Sequence, residues 1–98
     1  MRVISQDGTM DVPYEISSFS MAVGKYENVE HAVIFCYNYS TSMGTKMAEY
    51  GSKEKAKKAM EKMRDVYEFY AVKATPDGNG LCSIPTAVFQ FPAEEELE

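Results

Sequence analysis

Residues 52–72 read SKEKAKKAMEKMRDVYEFYAV, and this stretch decides the fold. Ala56, Ala59, Met60, Met63, Val66, Tyr67 and Tyr70 recur at steps of three and four, a single apolar stripe running about four turns down a helix. Lys53, Lys57, Lys58, Glu61, Lys62, Arg64, Asp65 and Glu68 cover the other side. Ser52 is placed to cap, because its hydroxyl can accept a bond from a backbone N–H that the first turn leaves unpaired. Glu54 follows in the first turn, where a negative charge suits the helix dipole. Lys55, standing where Glu or Gln would complete a capping box, leaves that box half made. The spacing predicts a helix from about Lys53 to about Val72, and one amphipathic helix needs an apolar layer to lie on.

Upstream, the chain supplies that layer as strands. His31 to Tyr39 is the strongest: His31, Val33, Phe35, Tyr37 and Tyr39 fall on one face, and Ala32, Ile34, Cys36 and Asn38 on the other. Both faces are largely apolar, which places this strand centrally. Phe19, Met21 and Val23 alternate with Ser18, Ser20 and Ala22, a half-buried strand from Ile16 to Val23, with Gly24 to Asn28 as a polar turn after it. A shorter strand from about Thr45 to Tyr50 returns from a loop at Ser40 to Gly44. At the start, Asp7-Gly8 has the composition of a two-residue type I′ turn, which sets Ser5 opposite Met10 and Val3 opposite Val12 until Pro13 ends the hairpin. Beyond the helix, Thr75 to Gly80 is rich in turn residues, and a last strand runs from about Thr86 to Phe91 between Pro85 and Pro92.

The expected fold is therefore α+β: a five- or six-stranded, mostly antiparallel, curved sheet packed on one long amphipathic helix. Its expected core is Val3, Val12, Phe19, Met21, Val33, Phe35, Met60, Met63, Val66, Tyr67, Phe89 and Phe91. The 98 residues suit one domain over residues 1–93. Residues 94–98 form an acidic tail holding Glu94, Glu95, Glu96 and Glu98, expected to be solvated, and its Leu97-Glu98 has the form of an affinity-tag junction. The net charge of −5 is mostly that tail, since the rest of the chain carries ten basic against eleven acidic residues.

Several functional classes fall away on spacing. Gly44 to Lys53 carries the residue types of a phosphate loop, but six residues separate its glycines and Ser precedes Lys, so backbone amides would not form the cradle. What remains is an anion site at the helix start, with Ser52 and Lys53 as its candidates. His31 and Cys36 fall on opposite faces of one strand, which excludes them as a thiol–base pair, and Cys82 adds no paired spacing of the kind structural zinc needs. No metal, no cofactor and no catalytic residue is expected, and the chain is not read as an enzyme. Six of the ten basic residues lie on the helix, a candidate nucleic-acid face, but Glu54, Glu61, Asp65 and Glu68 interleave with them and argue instead for a solvated surface. The opening residues lack the apolar segment of a signal peptide, and no stretch is apolar enough to span a membrane; the expected setting is the cytoplasm, with both cysteines as free thiols.

One feature points to a partner. A sheet apolar on both faces has a face that one helix cannot cover, and tyrosines suit surfaces that are only partly dry. Ile34, Tyr37, Tyr39 and Tyr50 are the interface candidates, and a protein-binding or adaptor module, self-association included, is the leading functional expectation. Met1 to Gly8, Val12-Pro13-Tyr14-Glu15 and Tyr50 to Ala56 resemble a group of short uncharacterised proteins from Firmicutes. The resemblance implies an intracellular bacterial protein, and it carries over no functional residue because that group has no assigned activity.

Overall fold

A computed structural model describes residues 1–38, 41–74 and 87–97, with the backbone alone for 41–43 and 70–74. In chain order its elements are β1 (Arg2–Ile4), β2 (Asp11–Pro13), a 3-10 turn (Tyr14–Ile16), β3 (Ser18–Tyr26), β4 (Val29–Asn38), β5 (Thr41–Tyr50), α1 (Lys53–Ala74), β6 (Val88–Gln90) and a second 3-10 turn (Glu94–Leu97). The fold is α+β, but the expected single sheet is two sheets of three strands, in the orders β2-β1-β6 and β3-β4-β5. All pairings are antiparallel except β1 with β6. The division follows from the short first hairpin. Past Ile4 the chain leaves β2 and turns to β5: the Gln6 N–H donates to the Met47 carbonyl at 2.7 Å, and the Gln6 side-chain oxygen accepts from the Glu49 N–H at 3.1 Å. That seam is too short to make one continuous ladder.

In the first hairpin Val3 faces Val12, as the alternation implies. Its turn is wider than the two-residue type I′ form. Gly8 has φ +78° but Asp7 does not share a positive φ, and the turn closes by Gly8 N–H to Ser5 O at 2.9 Å and Ser5 N–H to Met10 O at 2.9 Å. Asp7 organises it instead through its carboxylate, which accepts from the Thr9 hydroxyl at 2.6 Å, the Ser5 hydroxyl at 2.7 Å and the Thr9 N–H at 3.0 Å. These bonds, the Thr9 and Ser5 hydroxyls first, hold the Asp7 carboxyl down at about 2, below its ordinary 3.8. A carboxyl more acidic in the folded chain stabilises the fold above its unfolded pKa, and this contribution disappears as pH falls from about 4 towards 2. Thermal unfolding across that window should therefore depend less on pH for Asp7→Asn than for the parent chain; parallel curves would refute the assignment.

The second hairpin, β3–β4, keeps an unbroken register from Ser18↔Tyr37 to Tyr26↔Val29. Its turn is shorter than the polar stretch from Gly24 suggests. Glu27 and Asn28 both take positive φ, 52° and 65°, the type I′ geometry, so pairing continues to Tyr26. On β5 the ladder is irregular, with register shifts opposite Ile34/Phe35 and Cys36/Asn38. Gly44, at φ +83°, lies beneath the Tyr37 ring, where a Cβ would come within 2.7 Å of Tyr37 Cε1.

The core sits between the β3-β4-β5 sheet and α1, which lies across β4 and β5. Ala56 and Ala59, both fully buried, let the helix approach closely, and Met63 continues the stripe. The face of β4 beneath it carries Ala32, Ile34 and Cys36, each 0% exposed. This reverses the expected parity: Val33 and Phe35, placed in the core from sequence, lie half-buried on the far side. The helix start decides the outcome, because Tyr50 and Ala48 on β5 turn inward with Ala32 and Ile34, their partners across the ladder. Phe89 and Phe91 close one end of the core as an edge-to-face pair with ring centroids 5.2 Å apart, and Phe19 approaches Phe91 at 6.4 Å. The acidic C-terminal segment is not a free tail. Leu97 is 2% exposed in the same cluster, and the turn that carries it packs on α1.

Candidate functional site

The helix N-terminus has its anions already. The Ser52 hydroxyl accepts from the Lys55 N–H at 3.2 Å, the expected cap. The Lys53 N–H donates to the Glu30 carboxylate at 3.0 Å, and the Gly51 N–H to the Glu94 carboxylate at 2.5 Å. Lys55 Nζ stands 3.7 Å from that same Glu94 oxygen. Two carboxylates of the chain thus occupy the position proposed for an external anion at Ser52 and Lys53, and they satisfy the amides and the dipole there.

The interface candidates divide. Ile34 and Tyr50 are interior, 0% and 1% exposed, because the inward parity of β4 and β5 turns them under the helix. The Tyr50 hydroxyl donates to the Pro92 carbonyl at 2.8 Å, which also accepts from Gln6 Nε2 at 3.2 Å, and burial with Glu96 and Glu94 nearby pushes the phenol pKa up. Tyr37 is 40% exposed on the outer face of the sheet. Tyr39 lies outside the described residues, as do Cys82 and the turn-rich segment 75–80. Cys36 is buried while His31 is half-exposed on the opposite face, where its Nδ1 meets Glu49 at 2.9 Å. Lys46 joins the same carboxylate at 2.6 Å, and its bond, then that of His31, lowers the Glu49 pKa. Among the described residues no group of three or more His, Cys, Asp or Glu side chains could hold a metal ion, and no helix is long and apolar enough to cross a membrane.

What the chain does present is an edge. Each sheet has two edge strands, and proteins usually blunt such edges because a row of unpaired N–H and C=O groups accepts another strand. Here β2 and β6 are three residues long, and β2 ends in Pro13. The β5 edge is bulged, and Gln6 bonds to it. By contrast β3 runs nine residues in continuous register, holds no Pro, and has no strand on its outer side among the described residues. Lys25 is its one charge.

The hairpin turn tells which groups face outward. In a two-residue type I′ hairpin the flanking residues, here Tyr26 and Val29, bond to each other, and alternate residues back along the strand do likewise. Gly24, Ala22 and Ser20 therefore point their amides and carbonyls at β4, and Lys25, Val23, Met21 and Phe19 point theirs away from the sheet. The helix does not cover this strand fully: Phe19 and Met21 are half-buried and Val23 is 47% exposed.

Hollows flank both ends of β3. One of about 420 Å³ opens between the strand and α1, lined by Tyr14, Phe19, Met60, Met63, Arg64 and Tyr67, with the Tyr14 and Tyr67 rings stacked at 4.5 Å. A second, of about 610 Å³, is lined by Glu15, Ile16, Ser17, Ser18, Tyr37 and Asn38. A third, of about 370 Å³, lies on the outer face towards the turn, against Ala22, Gly24, Tyr26, Val33 and Phe35. The doubly apolar pattern of β4 placed an uncovered face at Ile34, which the structure instead buries under the helix; the β3 edge had no signal of its own beyond the lack of Pro and of charge from Ser18 to Gly24. Compared with protein-family models, curated proteins and solved structures, the chain matches none.

Proposed function

We propose that this chain is a non-catalytic protein-binding module that takes up a β-strand along β3. The observation that carries the reading is the contrast among its edges: three are short, bulged or bonded, and the fourth is long, regular and, among the described residues, open. A strand added there gains main-chain hydrogen bonds from Phe19, Met21, Val23 and Lys25, and its side chains alternate between the methionine- and tyrosine-lined hollow under the sheet and the Val33–Phe35 surface above it.

Proline at an outward-facing position tests this, because it removes a donor the folded chain does not use. With a diazirine analogue at Lys25, irradiation in host-cell extract should give a discrete protein adduct. Adding Val23→Pro, at an exposed side chain, should cut its yield at least tenfold while the unfolding curve stays close to that of the parent. Adducts indifferent to the proline, or amides of Phe19, Met21 and Val23 that resist hydrogen exchange in the dilute chain, would overturn the proposal.

A further inference from the structure

Resting on that reading of the β3 edge, we infer that the strand it accepts is β3 of a second copy, paired antiparallel about a two-fold axis at Ala22. Antiparallel partners must match outward-facing residues with outward-facing residues. That parity excludes registers that put Met21 opposite the partner's Ala22, and it keeps both helices on one side of the joined sheet. Of the registers left, the one centred on Ala22 pairs Met21 with the partner's Val23 and Phe19 with the partner's Lys25. All four outward residues of each copy then join the ladder, for about eight hydrogen bonds. A register centred on Met21 instead sets Lys25 opposite the partner's Ser17, outside β3, and so loses it from that set. One centred on Val23 runs Phe19 into the partner's turn at Glu27.

The side chains fit the same register. Residues opposite each other at a non-hydrogen-bonded pair have Cα atoms only about 4.5 Å apart, which a small side chain such as Ala22 tolerates. Tyr26, at 70% the most exposed of the large apolar side chains among the described residues, falls opposite the partner's Ser18 on the outer face. Ser18 borders the 610 Å³ hollow of Ile16 and Tyr37, so the projecting ring of each copy meets the other's hollow, and Ile16, 59% exposed, is covered. On the helix side Met21 and Val23 of the two copies come together where each helix falls short. An edge of this length spans about 30 Å, and a layer about 15 Å deep along it buries less than the roughly 800 Å² per partner of a standard-size stable interface. An interface of this size fits a reversible dimer rather than a permanent one.

The test is made on the purified chain. Sedimentation over a rising concentration series should show monomer passing to dimer. Ala22→Lys, which sets two ammonium groups face to face on an exposed surface, should weaken the dimer at least tenfold without changing the unfolding curve. Ala22→Cys should form an intermolecular disulfide linking the two copies at that position, since the expected Cα separation lies within disulfide range, whereas Val23→Cys, opposite the partner's Met21, should not. A chain that stays monomeric at high concentration, a dimer unmoved by Ala22→Lys, or cross-linking at Val23→Cys and not Ala22→Cys would each overturn the two-fold pairing. The broader reading fails separately: a proline-sensitive adduct to a different protein at Lys25 would leave strand uptake standing with a monomeric chain.

Discussion

Ile34→Asp is expected to leave the chain unfolded, while Phe35→Thr, one residue away, is expected to fold. Ile34 is 0% exposed under the helix, beside Ala32 and Cys36 on the same face of β4. Removing its side chain forfeits about 2–3 kcal/mol of burial. An uncompensated carboxylate in that layer costs several kcal/mol more, or must stay protonated at a similar cost. A chain of 98 residues has a total stability on the order of 5–15 kcal/mol, so the substitution consumes most or all of it. Phe35 is half-buried on the other face, where no helix lies over it among the described residues, and Thr keeps the strand propensity. Its replacement should cost about 1 kcal/mol. Circular dichroism melts of the two variants decide the matter: a folded Ile34→Asp with an unfolded Phe35→Thr would mean that the helix covers the opposite face.

Phe91→Ala should lower stability by about 3–5 kcal/mol, the largest loss expected from a conservative truncation here. Phe91 is 1% exposed. Its ring meets Phe89 edge to face at 5.2 Å and reaches Phe19 on β3 at 6.4 Å, so one side chain ties the β2-β1-β6 sheet to the β3-β4-β5 sheet. Its backbone N–H also bonds to the Ile4 carbonyl at 3.0 Å, which Ala preserves, so the loss measures packing alone. Beyond the lost transfer energy, the truncation leaves a cavity between two layers that cannot collapse without breaking the Gln6 seam. Denaturant unfolding should show a lower midpoint with an unchanged slope. A cost under about 1 kcal/mol would show that the sheets are held together elsewhere.

The proposed edge and the corrected parity are linked. A helix that lay over Val33 and Phe35 would leave Ile34 and Cys36 outward and turn Met21 and Val23 away from the core. Because it covers the other face, the inner side of β3 extends past the helix, and its apolar side chains sit beside backbone groups that no strand among the described residues pairs. Apolar side chains beside unoccupied backbone donors and acceptors are what an added strand needs, which is the physical ground of the proposed uptake at β3.

The chain's own periodicities determined the elements. Three- and four-residue spacing from Ala56 to Tyr67 marks a helix, and alternation marks β3, β4 and the Val3–Val12 pairing, because these patterns depend only on how side chains leave a local backbone. Tertiary structure alone decided which face of β4 is buried. Ala32, Ile34 and Cys36 are as apolar as Val33 and Phe35, and a strand apolar on both sides carries no preference until a helix lies on one of them. It also decided that the strands form two sheets, that Leu97 folds back into the core against a run of glutamates, and that Glu30 and Glu94 fill the helix start. Each of these depends on contacts between residues far apart in the chain, whose distances no local pattern encodes.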